Sequence, residues 1–203
     1  MKNLFILLIL ILSGIFVSAQ TIEPEVYKKQ YEVQTVMNRI EIHRISGFGG
    51  PTMSYSTING EFAFLMGGGG GIIINNLFLG GYGEGLSNTL DIGNNYSLRD
   101  FDFGHGGFWV GYEIAPKKLI HPVISTRIGW GNITGYSSVE NEYIRDHVFV
   151  LVPTISAEIN FTRFFKINVG AEYRQTLNVN VPGMSNKDFS NLGVYVNFLF
   201  GWF

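Results

Sequence analysis

Six charged residues stand at alternate positions in the second half of the chain, and their signs balance. They are Glu113, Arg127, Glu158, Lys166, Glu172 and Arg174, three acids and three bases. Each belongs to a run in which apolar and polar residues alternate, so all six fall on the polar face. On a water-facing sheet they would be ordinary solvated residues. Inside a narrow barrel an unpaired charge is costly, so balanced signs there predict a structural polar network in the lumen.

The four histidines do not form a recognisable catalytic or metal-binding motif. They are His43, His105, His121 and His147, none at a short metal-ligand spacing, and the chain has no Cys. A lipid hydrolase on a barrel wall would need His147 or His105 beside a serine and an acid. Ser156 and Glu158 follow His147, but the alternation turns both inward, away from lipid. We therefore predict no catalytic residue, no metal site and no cofactor.

The glycine run from Gly67 to Gly71 resembles a phosphate-binding loop in composition only. A phosphate-cradling loop requires Lys and Ser or Thr after the glycines, followed by a helix. Here Ile72, Ile73 and Ile74 follow, which indicates a strand. The run predicts a strand without side chains, where the barrel bends or where bulky neighbours need room.

Strands must position these residues, and the clearest pair covers Val152 to Arg174. Apolar residues occupy every second position on both sides of Thr162, which predicts two antiparallel strands and a tight turn. Similar alternation predicts eight strands from Ile45 onward. Long connections at Ser87–Asp100, Thr134–Arg145 and Gln175–Asp188 fall on one rim, together with the short Ile58–Gly60. The other rim has short turns only, as in all-β, antiparallel, transmembrane up-and-down barrels.

Composition agrees with a membrane barrel. The 203 residues include 26 Gly, 17 Phe and 10 Tyr, and only 15% are charged. The net charge of −2 and the lack of a basic patch argue against nucleic-acid binding. We expect a signal peptide at 1–19, a periplasmic extension at 20–44 and the barrel at 45–203. Apart from the leader, no stretch has the ~20 apolar residues of a spanning helix, so a membrane location requires a barrel.

The chain ends in Phe198-Leu199-Phe200-Gly201-Trp202-Phe203. From Ile45 to Phe203 it resembles small eight-stranded bacterial outer-membrane barrels, whose last strand typically ends in Phe. Gly49-Gly50-Pro51, Ile58-Asn59-Gly60 and Gly80-Gly81-Tyr82-Gly83 also resemble uncharacterised Bacteroidota barrels. The resemblance implies outer-membrane lipid around the barrel and an assembly machinery that reads Phe203. However, alternate positions counted back from Phe203 are less apolar than the other set. Either a bulge shifts the register, or Phe203 lies beyond the strand.

These observations predict a non-enzymatic outer-membrane protein whose surface loops bind a partner or whose role is structural. The crowded lumen argues against a permanent pore. One alternative is a barrel-embedded lipid-modifying hydrolase. Another is a soluble periplasmic lipocalin-like carrier with its apolar face inward. The sequence does not identify a ligand.

Overall fold

The fold is given by a computed structural model that describes residues 42–90, 98–137 and 141–203. The predicted leader, the extension as far as Glu41 and part of two predicted loops lie outside these ranges. The described residues form eight strands and one short helix, α1. Their bounds are β1 Ile45–Ile58, β2 Glu61–Ile74, β3 Leu77–Leu86, β4 Leu98–Glu113, β5 Ile120–Ser137, β6 Glu142–Asn160, β7 Phe165–Leu177, α1 Asn186–Phe189 and β8 Asn191–Gly201.

Each strand pairs antiparallel with the next, and β8 pairs with β1, so the sheet closes into a barrel. The predicted eight-stranded up-and-down topology is confirmed. Between β1 and β2, Asn59 and Gly60 both have positive φ, of 51° and 81°. Two such residues form the tight turn that matches the right-handed twist of a hairpin, which explains why this connection is short. We call the end with the start of β1 and the end of β8 the terminal end, and the opposite end the loop end.

The two faces of the wall have opposite chemistry. On β5 the inward residues His121, Val123, Ser125 and Arg127 are buried, at 1%, 2%, 7% and 3% exposure. The outward Ile124 and Trp130 are 53% and 64% exposed. A soluble protein rarely leaves such a continuous apolar surface in water, whereas a lipid-facing wall requires it. The chain is therefore a transmembrane barrel. Within the described ranges no helix is long and apolar enough to cross a membrane.

The loop end differs from the sequence prediction. Thr134–Arg145 is not a long loop, because β5 and β6 remain paired from Thr134↔Arg145 to Ser137↔Glu142. Ile133 and Ser137 continue to alternate inward, at 1% and 3% exposure, so burial extends the ladder through polar sequence. We call the two paired segments, residues 134–137 and 142–145, the ribbon; its first segment also pairs with the start of β4, at Leu98↔Ser137. Likewise β4 begins at Leu98, and Phe189 belongs to α1 rather than to the last strand.

The glycine run lies inside β2, as predicted. A Cβ built on Gly69 would lie 2.8 Å from the Gly81 carbonyl oxygen of β3, and 3.1 and 3.2 Å from ring atoms of Trp109, which is inside the barrel and 4% exposed. Trp109 also packs edge-on against Phe48 and Phe78, with ring centroids 5.5 and 5.4 Å away. The inward glycine therefore makes room for a bulky neighbour, one of the two expected reasons.

Candidate functional site

The structure places all six predicted charged side chains inside the barrel. Their exposures run from 1% to 4%: Glu113 2%, Arg127 3%, Glu158 2%, Lys166 1%, Glu172 4% and Arg174 1%. They do not form one network. Two groups lie at different heights of the lumen, and the Phe48, Phe78 and Trp109 rings lie between them. That these groups stabilise the barrel stays a prediction.

The group at mid-height is Glu84, Arg127 and Glu172, which we call the central network. Arg127 bridges the carboxylates of Glu84 on β3 and Glu172 on β7. The Ser54 hydroxyl oxygen lies 3.4 Å from Glu84 Oε2 and 3.3 Å from Glu172 Oε2, so its single hydrogen can be donated to either carboxylate. The guanidinium also lies over the rings of Tyr82 and Tyr195. Arg127 therefore lies between two anions in the lumen. Together with Ser54, these residues come from four different strands.

Glu84 was not predicted as a member of this network. It lies in the glycine-rich β3, where Gly80, Gly81, Gly83 and Gly85 hide the alternation between the two faces. Its parity with Phe78 and Tyr82, both inward and buried, was the available signal.

Arg174 donates hydrogen bonds to backbone carbonyl oxygens at the loop end instead of pairing with a carboxylate. Its Nε donates to the Phe189 carbonyl oxygen at 2.9 Å, and one terminal nitrogen donates to Thr57 O at 2.9 Å. Residues 178–190, which include α1, fold over the barrel end, and we call them the lid. Asn59 N donates to Asp188 O at 2.7 Å, which fastens the lid to the β1–β2 turn.

The lid closes the loop end with apolar side chains. Val181, Met184 and Phe189 are 3%, 8% and 0% exposed and pack in one cluster with inward residues of the wall. The wall members of that cluster are Ile58, Ala63, Leu65, Phe101, Phe103, Ile133, Val148, Val150 and Val152. The predicted loop Gln175–Asp188 therefore caps the lumen with an apolar layer.

The group at the terminal end is Arg44, Glu113, His121, Glu158 and Lys166, which we call the mouth network. Lys166 Nζ lies 3.0 Å from Glu113 Oε1 and 2.6 Å from Glu158 Oε1. Arg44 donates to Glu113 Oε2 at 3.2 Å, and His121 Nε2 lies 3.2 Å from Glu158 Oε1. Below the network a cavity of about 850 Å³ opens between the short turns, with Arg44, Lys117, Arg163 and Phe203 among its lining residues.

Sequence reasoning missed Arg44 and His121 in this group. Arg44 immediately precedes β1, and His121 stands beside Pro122, so both resemble loop residues. The missed signal for His121 is that it lies an even number of residues from Val123 and Arg127, so its side chain points to the same, inward face of β5. Ligand atoms of Glu113, His121 and Glu158 all lie within 4.8 Å of one another, so these three residues are a group that could hold a metal ion.

The other histidines do not support a hydrolase. His147 is exposed, whereas Ser156 and Glu158 are buried at 7% and 2% on the opposite face of β6. His105 is inside the barrel, 6% exposed, with Nδ1 3.1 Å from the Tyr82 hydroxyl. These side chains therefore do not combine into a nucleophile and base on the lipid-facing wall.

The C-terminus resolves the question of register. The β7–β8 ladder runs without a shift from Phe165↔Phe200 to Arg174↔Asn191. β8 ends at Gly201, so Phe203 lies beyond the strand, and the bulge is not needed. Phe203 turns beneath the barrel, where its ring centroid lies 4.3 Å from Lys166 Nζ.

Comparison with known proteins supports the fold and leaves the activity open. No protein-family model and no curated protein matches the chain. The solved structure of Neisserial surface protein A matches with a TM-score of 0.54 and 12% identity, covering 78% of this chain and 96% of that chain. Ail, the attachment invasion locus protein of Yersinia pestis, matches with a TM-score of 0.46 and 14% identity, covering 78% and 97%. The likeness to Neisserial surface protein A is one of fold: both are closed eight-stranded membrane barrels.

Proposed function

We propose that this chain is a non-enzymatic outer-membrane protein that acts through its loop end, outside the cell. The observation that carries the proposal is the filled lumen beneath a closed lid, beside the ribbon at the loop end. A protein with its lumen closed acts through the surface that it presents. The loop connections are where binding residues concentrate on a rigid scaffold.

The ribbon is the more distinctive part of that surface. Tyr143 is 70% exposed and packs edge-on against Tyr136, with ring centroids 5.2 Å apart. Tyr136 also donates to Asn141 Oδ1 at 2.6 Å. Tyrosine supplies a large, rigid contact area together with a polar group, which suits a binding surface. We propose that the ribbon contacts a partner molecule at the cell surface.

Orientation follows from the connections. The terminal end has short turns, as the periplasmic side of such barrels does, so we place it in the periplasm and the lid outside. We also propose that Phe203, beside the periplasmic mouth, is read by the barrel-assembly machinery, and that outer-membrane lipid surrounds the wall. The resemblance to uncharacterised Bacteroidota barrels belongs with these proposals.

The test combines surface accessibility with ribbon variants. A peptide tag inserted between Ser137 and Glu142 should be accessible to antibody on intact cells, whereas a tag at Lys117 should not be. Replacing both Tyr136 and Tyr143 by Ser should lower whole-cell binding to envelope or host-surface fractions. A Tyr112→Ser variant, changed on the lipid-facing wall, serves as the matched control. If the ribbon variant folds normally and its binding is unchanged, the structural role is the explanation that remains. Loss of a lipid-modification activity in His147→Ala would favour the hydrolase.

A further inference from the structure

The mouth network brings a nitrogen and two oxygens to one point inside the barrel. Glu113 on β4, His121 on β5 and Glu158 on β6 are 2%, 1% and 2% exposed. Their ligand atoms lie within 4.8 Å of one another. Imidazole and carboxylate are together a donor set that suits divalent transition metals such as Zn²⁺.

The far side of each of these three side chains is held by another group. His121 Nδ1 lies 3.2 Å from the Lys118 carbonyl oxygen. Arg44 donates to Glu113 Oε2 at 3.2 Å, and Asn168 donates to Glu158 Oε2 at 3.4 Å. One ligand atom of each residue remains on the side away from these contacts, and the three lie within 4.8 Å of one another. Metal ligands are characteristically oriented in this way, with the other histidine nitrogen bound to a carbonyl or carboxylate.

His121 offers a buried nitrogen at this point. The residue is 1% exposed, and Nε2 lies 3.2 Å from Glu158 Oε1 without a hydrogen-bond partner. A buried polar atom of this kind costs free energy unless a partner satisfies it. A metal ion in contact with Nε2 and with the two carboxylates would satisfy all three groups.

The Lys166 ammonium occupies part of the space between the Glu113 and Glu158 carboxylates. It contacts both Oε1 atoms, at 2.6 and 3.0 Å, but no contact joins it to His121. The side chain also lines the cavity of about 850 Å³ at the terminal end. A lysine ammonium sits on a flexible four-carbon stem, so it can move into that cavity. The same cavity gives an ion a route from outside the barrel.

We propose that Glu113, His121 and Glu158 form a binding site for a divalent transition-metal ion, in competition with the Lys166 ammonium. The ion takes one nitrogen and two oxygens from the chain, and a water from the cavity completes four-coordination. The lysine then moves outward, so that the two carboxylates face the metal instead of the ammonium. This site is independent of the surface role proposed above.

The probes are Zn²⁺ and Co²⁺, titrated into the full chain refolded in detergent. Wild-type protein should bind one Zn²⁺ weakly, and Lys166→Met should bind it at least about tenfold more tightly. Removing a unit charge this close to the ion exceeds the energy that a factor of ten requires. His121→Asn should abolish binding. Bound Co²⁺ should give the intense visible absorption of a four-coordinate site.

Two matched controls accompany these variants. Lys117→Met removes a cation that lines the same cavity without contacting the three ligands, and His147→Ala removes an exposed histidine. Both should bind Zn²⁺ as the wild type does. If Lys166→Met folds poorly, added Zn²⁺ should restore the folded band on a heat-modifiability gel, because the metal replaces the missing cation.

Three outcomes would overturn the proposal. Lys166→Met could bind Zn²⁺ no more tightly than wild type does, or could stay unfolded in its presence. His121→Asn could retain wild-type binding.

Discussion

At the scale of single residues, the contribution of each buried charge in the lumen to stability depends on its partners. Arg127 satisfies Glu84 and Glu172 at once, and all three are at most 6% exposed. A buried ion pair contributes little net stability when intact, because both charges have been desolvated. Removing one partner is different, since the remaining charge is left buried without compensation.

We therefore expect Arg127→Met to destabilise the barrel by about 3–5 kcal/mol. Two carboxylates would face each other in the lumen without a cation. The measurement is the urea unfolding midpoint in lipid vesicles, with Arg163→Met on an exposed turn as the control. Adding Glu84→Gln and Glu172→Gln to Arg127→Met should recover most of the loss. A loss below about 1 kcal/mol would show that the network is not structural.

Two glycines form a second matched pair. A Cβ at Gly69 would lie 2.8 Å from the Gly81 carbonyl oxygen and 3.1 Å from the Trp109 ring, whereas a Cβ at Gly83 meets nothing within 4 Å. Gly69→Ala should cost about 1–3 kcal/mol by overpacking. Gly83→Ala should be neutral or stabilising by up to about 1 kcal/mol, since alanine restricts the unfolded chain. Unfolding midpoints of the two variants compare them directly, and equal effects would mean that packing at Trp109 does not demand the glycine.

At the scale of elements, the strands were more predictable than their connections. The bounds of β2, Glu61 and Ile74, follow from apolar sequence between two turn signals, Asn59-Gly60 and Asn75-Asn76. The ribbon was not predicted, because Asn132, Thr134, Gly135 and Ser137 have the composition of a loop. Burial of Ile133 and cross-strand pairing keep that segment extended, and these are tertiary effects.

In the candidate site, too, local features were predictable from the sequence and contacts between strands were not. Alternation of a single strand placed the six charged residues on the inward face, since side-chain direction is a local property. Their partners come from other strands, as when Lys166 on β7 meets Glu113 on β4. Such pairs depend on barrel closure and on register, which no single stretch encodes. The lid was unpredictable for a related reason, because Phe189 is buried by contacts with Phe101 and Phe103 across the barrel end.

The lid offers an element-scale prediction. Arg174→Met removes the charged donor from Phe189 O and from Thr57 O. Each carbonyl then keeps one neutral donor, Thr176 Oγ1 at 3.3 Å and Asn191 Nδ2 at 3.1 Å. We expect local opening of residues 178–190 to become easier by about 1–3 kcal/mol. Hydrogen exchange of lid amides, compared with amides of β6, measures this. Lys187→Met, which removes an exposed charge from α1, should leave exchange unchanged. Equal protection in Arg174→Met would show that the apolar cluster alone holds the lid.

At the scale of the whole molecule, the lumen is a stack of layers with different chemistry. From the loop end come the apolar cluster beneath the lid, the central network, the aromatic layer around Trp109 and the mouth network. A cavity of about 10 Å³ between the aromatic layer and the mouth network has room for about one water. An eight-stranded barrel is just wide enough for side chains to fill it, and this chain fills it at several heights.

Layering predicts how the barrel responds when its lid is removed. Replacing residues 179–189 by a two-residue Asn-Gly turn takes away Val181, Met184 and Phe189, so the loop end opens to water. The layers below remain, because Arg127 still bridges Glu84 and Glu172, and Trp109 still packs against Phe48 and Phe78. We therefore expect neither the wild type nor the lidless variant to give stepwise conductance in planar lipid bilayers. A lidless variant that also carries Arg127→Ala, Trp109→Ala and Phe78→Ala is the positive comparison, since only it lacks all the upper layers. Stable conductance from the lidless variant alone would mean that the lid is a gate over a water-filled path, and that the surface role proposed for this protein is incomplete.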